Sequence, residues 1–175
     1  MKLENIETKR LLLRSYCDDD RDYCLSLWSD KENGKYLSDP MIENIDERYL
    51  GYFENMADDP EGYYLVCEFK ETHVVCGTFC MFASEDGYDI GYCVDKAYWQ
   101  QGIGSEMMQA TLTWMRGHGA VSVTCEVADD NIASMALLEK FGFVPIRKTK
   151  FRKWGEDTWF DSHIMKLDLD ALERR

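Results

Sequence analysis

The residues Tyr98-Trp99-Gln100-Gln101-Gly102-Ile103-Gly104-Ser105-Glu106 form a glycine-bearing turn between a strand-like segment, Gly87 to Val94, and a strongly helical one, Ser105 to Arg116. A turn that opens directly into a helix leaves backbone N–H groups unpaired and pointing outward, where the positive end of the helix dipole adds to them. Such a turn is a cradle for phosphate. Gly102 and Gly104 let the backbone come close to a ligand and take the angles that a nest of N–H groups requires. A bare Gly-x-Gly also fits an ordinary strand-to-helix connection. The third glycine and distal acid of a dinucleotide fingerprint are missing, as is the Gly-Lys-Ser/Thr of a P-loop. What is left is pyrophosphate binding by a turn of another architecture.

The elements that must position this turn fit one domain, residues 1–175, by length alone. Only Pro40, Pro60 and Pro145 occur, with no repeat and no low-complexity linker. The N-terminal Met1 to Glu7 lacks the apolar region of a signal peptide, and no apolar run is long enough to span a bilayer, so a cytoplasmic location is expected. Seven cysteines, an odd number mostly inside apolar segments, read as reduced buried thiols. Cys76 and Cys80 share a strand face, but no His or second cysteine pair completes a ligand set, and no metal is expected.

The formal charge of −13 argues against a nucleic-acid-binding surface, which needs an excess of Lys and Arg. Residues 1–100 carry 22 acids against 10 bases, whereas residues 101–175 carry 11 against 10, with a basic cluster at Arg147, Lys148, Lys150, Arg152 and Lys153. An acidic first part suits a cationic substrate, and it also suits a merely solvated surface.

Periodicity gives the order β-α-α-β-β-β-α-β-α-β-β. Thr8 to Tyr16 reads as a strand with Leu11 and Leu13 on one face; a helix runs from the Asp18-Asp19-Asp20 start signal to about Asp30, and another begins at Asn44 to Asp46. Three strands follow, Tyr63 to Phe69, Val74 to Phe82 and Tyr88 to Val94, and then the helix after the glycine turn, ended by Gly117-His118-Gly119. Val121 to Val127 is a strand, Asn131 to Phe141 a helix, and Phe143 to Lys150 and Thr158 to Leu167 the last two strands. Hairpin links are antiparallel and strand-helix-strand crossovers parallel, so the expected fold is α+β, a mixed and mostly antiparallel sheet of about seven strands flanked by about four helices.

This order, the turn at 101–105, and Asn131-x-x-Ser134 followed by Leu138-Glu139-Lys140-Phe141-Gly142-Phe143 together resemble the GNAT superfamily of acetyl-CoA-dependent N-acetyltransferases over nearly the whole chain. Thr8-x-Arg10-Leu11-x-Leu13-Arg14, Ile90-Gly91-Tyr92 and Tyr98-Trp99 look most like its ribosomal-protein N-terminal acetyltransferase branch. The resemblance implies that backbone N–H groups of Gln101, Gly102, Ile103, Gly104 and Ser105 hold the pyrophosphate of coenzyme A. It further implies that the strand around Tyr92, Cys93 and Val94 splays from Val121 to Val127 to admit the pantetheine arm, with an N–H near Val94 polarising the thioester carbonyl. Asn131 would contact that arm or position a water; as an N-cap it needs no ligand at all.

The sequence departs from the superfamily pattern at two positions. Trp99 stands where most members have Gln or Arg, as in the branch named above, and Leu138 stands where many carry the tyrosine that protonates the departing thiolate. At 100° per residue, 131, 134 and 138 fall on one stripe, so Ser134 is one turn from the missing hydroxyl and is the candidate general acid. An amine of ordinary pKa must lose a proton before it attacks. Asp89 occupies the position where relatives place a carboxylate acting through water, and Glu126 is the second candidate base. Segments Trp28 to Asp46 and Lys153 to Phe160 mix aromatics with acids, walls that suit a cation with an apolar stem. The expected reaction is direct acetyl transfer from acetyl-CoA to a primary amine, a protein N-terminus or a small molecule, by a monomer or homodimer. The alternative is an acyl-CoA-binding sensor without turnover.

Overall fold

In the computed structural model, residues 3–170 are described; Met1 and Lys2 of the N-terminal stretch lie outside them. The strands are β1 (Ile6–Glu7), β2 (Leu11–Ser15), β3 (Gly62–Phe69), β4 (Val75–Ser84), β5 (Gly87–Val94), β6 (Ser122–Ala128), β7 (Val144–Arg152) and β8 (Trp159–Asp168). The helices are α1 (Arg21–Ser29), α2 (Glu47–Met56), α3 (Ile103–Gly117) and α4 (Ile132–Lys140). Eight strands make one sheet in the order β1-β2-β3-β4-β5-β6-β8-β7. The strand beyond the expected seven is β1, a two-residue edge piece paired with Leu12 and Leu13, too short to show a period of its own.

Helix starts follow from local hydrogen bonding. The Asp46 carboxylate accepts from the Tyr49 N–H at 2.7 Å and caps α2, and Asn131 does the same for α4 through the Ser134 N–H at 3.2 Å. Asp18 to Asp20 form a 3-10 turn ahead of α1, so that helix begins at Arg21 and not at the aspartates.

Alternation along the strands divides the core between the two faces of the sheet. Leu65 and Cys67 of β3 join Leu11, Leu13, Phe79 and Met81 beneath α3 and α4, where Met107, Met108, Leu112, Met115 and Leu138 pack on them. Val66, between them in sequence, faces the other way with Tyr16, Cys24, Tyr49, Phe53 and Met56 beneath α1 and α2. Among the described residues twelve of the largest side chains are essentially inaccessible, all of them in the first cluster; burying one such Leu or Met is worth roughly 1.5–3 kcal/mol.

One seam is incomplete. β4 pairs with β5 along its full length, from Ser84 opposite Gly87 to Gly77 opposite Val94. β6 pairs with β8 from Ser122 to Ala128. The parallel pairing of β5 with β6 covers only Gly87 to Asp89 against Ser122 to Thr124. Beyond Asp89 each strand follows its own antiparallel partner, and the twist of the two halves carries them apart.

The Arg14 guanidinium ties β2 to the start of α1 and to β3: it donates to both oxygens of Asp20 at 2.7 and 2.8 Å and to Glu68 at 3.0 Å. Burial works against ionisation of both acids, yet the hydrogen bonds outweigh it, those from Arg14 and Cys17 at Asp20 and those from His73 and Arg14 at Glu68, and both pKa values lie below the ordinary carboxylate range. Depressed carboxylates contribute stability that is present above their unfolded pKa, about 4, and lost as pH falls through the folded value. Thermal melts between pH 7 and pH 2 should therefore show an acid-side loss of stability that is shallower in Asp20→Asn, and that variant should already be less stable than the parent at pH 7.

Candidate active site

Two clefts open on opposite sides of the incomplete seam and share Tyr36, Leu37, Tyr92 and Cys93 in their walls. The larger, of about 760 Å³, runs from the glycine turn past the ends of β5 and α4. The smaller, of about 500 Å³, lies on the α1 and α2 side and is walled largely by aromatic rings. The segment 31–37 roofs the first and, continuing through Asp39, the second.

The glycine turn has the geometry of an anion cradle. Gln100 and Gly102 take left-handed backbone angles, φ 59° and 77°, and the Glu106 N–H closes the first helical bond to the Gly102 carbonyl at 3.0 Å, which leaves the first-turn N–H groups ahead of it as free donors. An unexpected brace holds the turn from the N-terminal strands. Glu106 accepts from the Thr8 hydroxyl at 2.6 Å, the Arg10 N–H at 2.9 Å and Arg10 Nε at 2.7 Å, while Arg10 Nη1 reaches the Gln101 carbonyl at 3.1 Å. Burial opposes ionisation of Glu106, but these bonds prevail and lower its pKa. From the other side Lys140 Nζ donates to the Ser105 hydroxyl at 3.0 Å. Two cations thus flank a ring of N–H donors, a favourable field for a pyrophosphate. The Thr8-x-Arg10 spacing and the acid at 106 were the sequence signals for this brace; only the fold shows that they meet.

At the far end of the same cleft, β5 offers an open edge. The Asp95 N–H donates to the Cys76 carbonyl at 2.9 Å, so by the alternation of an antiparallel ladder the N–H groups of Val94 and Tyr92 turn away from β4, toward the edge that β6 vacates. Trp99 Nε1 donates to the Val94 carbonyl at 2.7 Å. This is the work of the tryptophan: it occupies the outward carbonyl and leaves the outward N–H available.

The Tyr92 ring stacks on Phe79, with centroids 6.1 Å apart, and its hydroxyl lies 2.6 Å from the Ser134 hydroxyl. Burial raises the Tyr92 pKa, so the phenol stays protonated. Ser134 and Leu137 face the cleft, whereas Leu138 is fully buried in the core under the sheet. The expected stripe of 131, 134 and 138 is thus divided: 131 and 134 face the cleft, and the core claims 138. Beside the Ser134 hydroxyl of α4 the cleft thus holds a second one, that of Tyr92, reaching over from β5. Asn131 lines the cleft while capping α4. The Cys93 thiol faces the Asn33 carbonyl at 3.7 Å, and burial pushes its pKa up to about 12, so it is not a thiolate at neutral pH.

The two candidate bases sit differently. Glu126 lines the aromatic cleft and accepts from the Ser162 hydroxyl at 2.7 Å. Asp89, on the last paired rung of the seam, accepts from the Thr124 hydroxyl at 2.8 Å and is absent from the walls of both clefts; its pKa is raised by burial, with a contribution from the Glu126 charge. Asp39 enters the aromatic cleft from the roof, accepting from the Tyr49 hydroxyl at 2.6 Å; burial raises its pKa against that bond and the nearby Lys153 charge.

Residues 10–144 match the family described as acetyltransferase (GNAT) domain. The chain belongs to this family. It is 26% identical over 168 residues to the uncharacterized N-acetyltransferase YoaA of Bacillus subtilis, covering 93% of this chain and 95% of that one. Its fold is similar to that of the spermidine N-acetyltransferase from Vibrio cholerae solved with CoA and spermine, with a TM-score of 0.78, 16% identity and coverage of 93% and 98%. It is also similar to that of the Salmonella typhimurium acetyl transferase that modifies the N-terminal serine of ribosomal protein L7/L12, with a TM-score of 0.74, 19% identity and coverage of 94% and 99%. Among the described residues no helix is long and apolar enough to cross a membrane.

What keeps this GNAT protein's two clefts roofed is Lys153, one of the basic cluster noted in the sequence. It is 3% exposed, and its ammonium donates to the carbonyls of Gly34, Leu37 and Asp39 at 2.8, 2.9 and 2.9 Å. Burial lowers its pKa, opposed by the charges of Glu156 and Asp39. Lys153→Met strips three carbonyls of their donor, at about 1–3 kcal/mol for such unsatisfied groups, so the melting temperature should drop by roughly 2–10 °C and hydrogen exchange at Gly34 and Leu37 should accelerate while that of β3 and β4 does not.

Proposed function

We propose that this GNAT protein is an enzyme that transfers the acetyl group of acetyl-CoA to a primary amine by direct attack on the thioester. The observation that carries the reading is the meeting of the two clefts at Tyr92 and Cys93, beside an unpaired strand edge: one cleft fits a pyrophosphate-bearing thioester and the other an amine, and a transfer needs both at one point. Gln101 to Ser105 hold the pyrophosphate with their N–H groups, aided by Arg10 and Lys140. Tyr92, Cys93, Val94 and Asn131 line the path of the pantetheine arm. Spermidine and an N-terminal serine, the acceptors of two structural neighbours, support an amine, cationic before reaction, as acceptor. The Thr8-x-Arg10 start and Trp99 support a place near the ribosomal-protein branch.

The amine nitrogen bonds to the thioester carbon as the carbon–sulfur bond breaks. Glu126, from the wall of the aromatic cleft, takes the proton that the nitrogen gives up, directly or through water, with Asp89 as its charged neighbour across the seam. The Val94 N–H donates to the carbonyl oxygen as negative charge develops there. Ser134 gives its proton to the departing thiolate while taking one from the Tyr92 phenol. The proton that Glu126 took from the nitrogen returns to Tyr92 through water, so that the N–H proton ends on the coenzyme A thiol. The high pKa of Cys93 favours this route over one through an acyl-cysteine.

Mass spectrometry of acetylated products, with acetyl-CoA and a broad amine panel, tests the activity; coenzyme binding with no acetylated amine would replace it with the sensor reading. Glu126→Gln should lower kcat about 100-fold, and Asp89→Asn less. Ser134→Ala and Tyr92→Phe should each reduce kcat with little change in the KM for acetyl-CoA, and the double variant should be no worse than the poorer single one, as expected for two members of one relay. Gly102→Ala puts a side chain on a left-handed residue, at about 1–2 kcal/mol, and should raise the KM for acetyl-CoA several-fold with kcat nearly unchanged.

A further inference from the structure

The roof segment does more than cover the two clefts; it joins the two halves of the sheet. Toward β5, the Asn33 side-chain oxygen accepts from the Lys96 N–H at 2.7 Å, and the Asn33 carbonyl meets the Cys93 thiol at 3.7 Å. Toward the other half, Lys153 of the β7–β8 hairpin gathers three roof carbonyls, and the Tyr36 hydroxyl donates to the Asp130 carbonyl, on the turn between β6 and α4, at 3.0 Å. β5 and β6 themselves share only three residue pairs. The roof is therefore a second connection between the half-sheets, and it crosses the opening that the first one leaves.

One of these ties differs from the rest. Lys153 pins the carbonyls of Gly34 and Leu37, on either side of Tyr36, so the backbone there is fixed from a distance and its side chain is not. The Tyr36 ring is held by softer contacts, edge-on to Phe160 at 5.7 Å between centroids and with the Lys35 ammonium 4.7 Å from its centroid. A rotamer change breaks these contacts and the bond to Asp130 while the roof backbone stays in place. Tyr36 is also one of the four residues in the walls of both clefts, and Asp130 and Asn131 line the larger one. A ligand with its pyrophosphate at the glycine turn and its thioester at the junction of the clefts lies between the lips that Asn33 and Tyr36 fasten together.

Resting on the coenzyme-binding part of the reading above, we propose that Tyr36 is a bolt across the seam. With its hydroxyl on the Asp130 carbonyl it closes the junction around the thioester arm, and the swing of its ring off that carbonyl admits and releases the coenzyme. A bolt that must be drawn for both entry and exit governs how fast the coenzyme comes and goes, and not how tightly it is held. That separates it from a side chain that merely touches the ligand, whose loss speeds release alone.

Stopped-flow binding of coenzyme A, followed by tryptophan fluorescence since Trp99 lines the larger cleft, tests this with no acceptor and no turnover. Tyr36→Phe removes one oxygen and keeps the ring. It should raise the association and dissociation rate constants together, each roughly three- to tenfold as the loss of one hydrogen bond allows, so that Kd changes less than either rate. Tyr36→Ala, which removes the ring as well, should raise both at least as far. The inference is overturned if either rate constant stays at the parent's value in both variants; faster release with unchanged association is the mark of a lost ligand contact or a loosened site. A parent protein that binds no coenzyme A overturns the coenzyme reading and the inference with it, whereas parent and variants that bind at equal rates overturn the inference alone.

Discussion

Everything at this site depends on a parallel seam that is closed over three residue pairs and open beyond them. β5 is held by β4 and β6 by β8, each through a full antiparallel ladder, and two twisted half-sheets joined along so short a line cannot stay in register. The opening exposes backbone groups of Tyr92 and Val94 that a closed sheet would consume. It also lets the cleft on the α3 and α4 side and the one on the α1 and α2 side meet at shared walls.

An open edge inside a fold is a liability unless the surrounding structure holds its shape. Three devices do so here. Trp99 occupies the outward carbonyl of Val94, so that its N–H alone is presented. The Thr8, Arg10 and Glu106 brace ties the glycine turn to the opposite end of the chain's first strands. Lys153 gathers the carbonyls of the roof segment, and the tip of the last hairpin adds the Trp154 N–H to the Ser38 carbonyl at 2.7 Å and Glu156 to the Met41 N–H at 3.0 Å. Sites need rigid support, and the last two devices supply it from parts of the chain about 90 to 120 residues distant.

The electrostatic asymmetry of the sequence has a structural meaning too. The nearly neutral part, residues 101–175, supplies the glycine turn, α4 and Lys140 around the larger cleft. The acidic part supplies Asp39 to the smaller one. The two clefts thus differ in electrostatic character, with Tyr92 between them.

Legibility in the sequence followed the range of the physics. Seven of eight strands, four helices and the mixed sheet were readable because hydrophobic period, capping residues and turn glycines are local; β1, two residues long, carries no period. The glycine cradle was readable for the same reason, since its chemistry lies within five consecutive residues. By itself the sequence determined the alternation that fills both faces of the sheet, the caps of α2 and α4, and the residue types available for acid, base and anion binding. Tertiary structure alone decided which of them meet. Glu126, not Asp89, lines a cleft because the seam ends at Asp89. Leu138 is core because a helix can turn only one stripe toward the sheet, and the phenol beside Ser134 comes from a strand 42 residues earlier. Lys153, which reads only as one of a basic cluster, is buried because three carbonyls of a segment more than 110 residues away converge on it. Long-range pairing of this kind leaves no periodic signature in a single chain, since nothing local requires it.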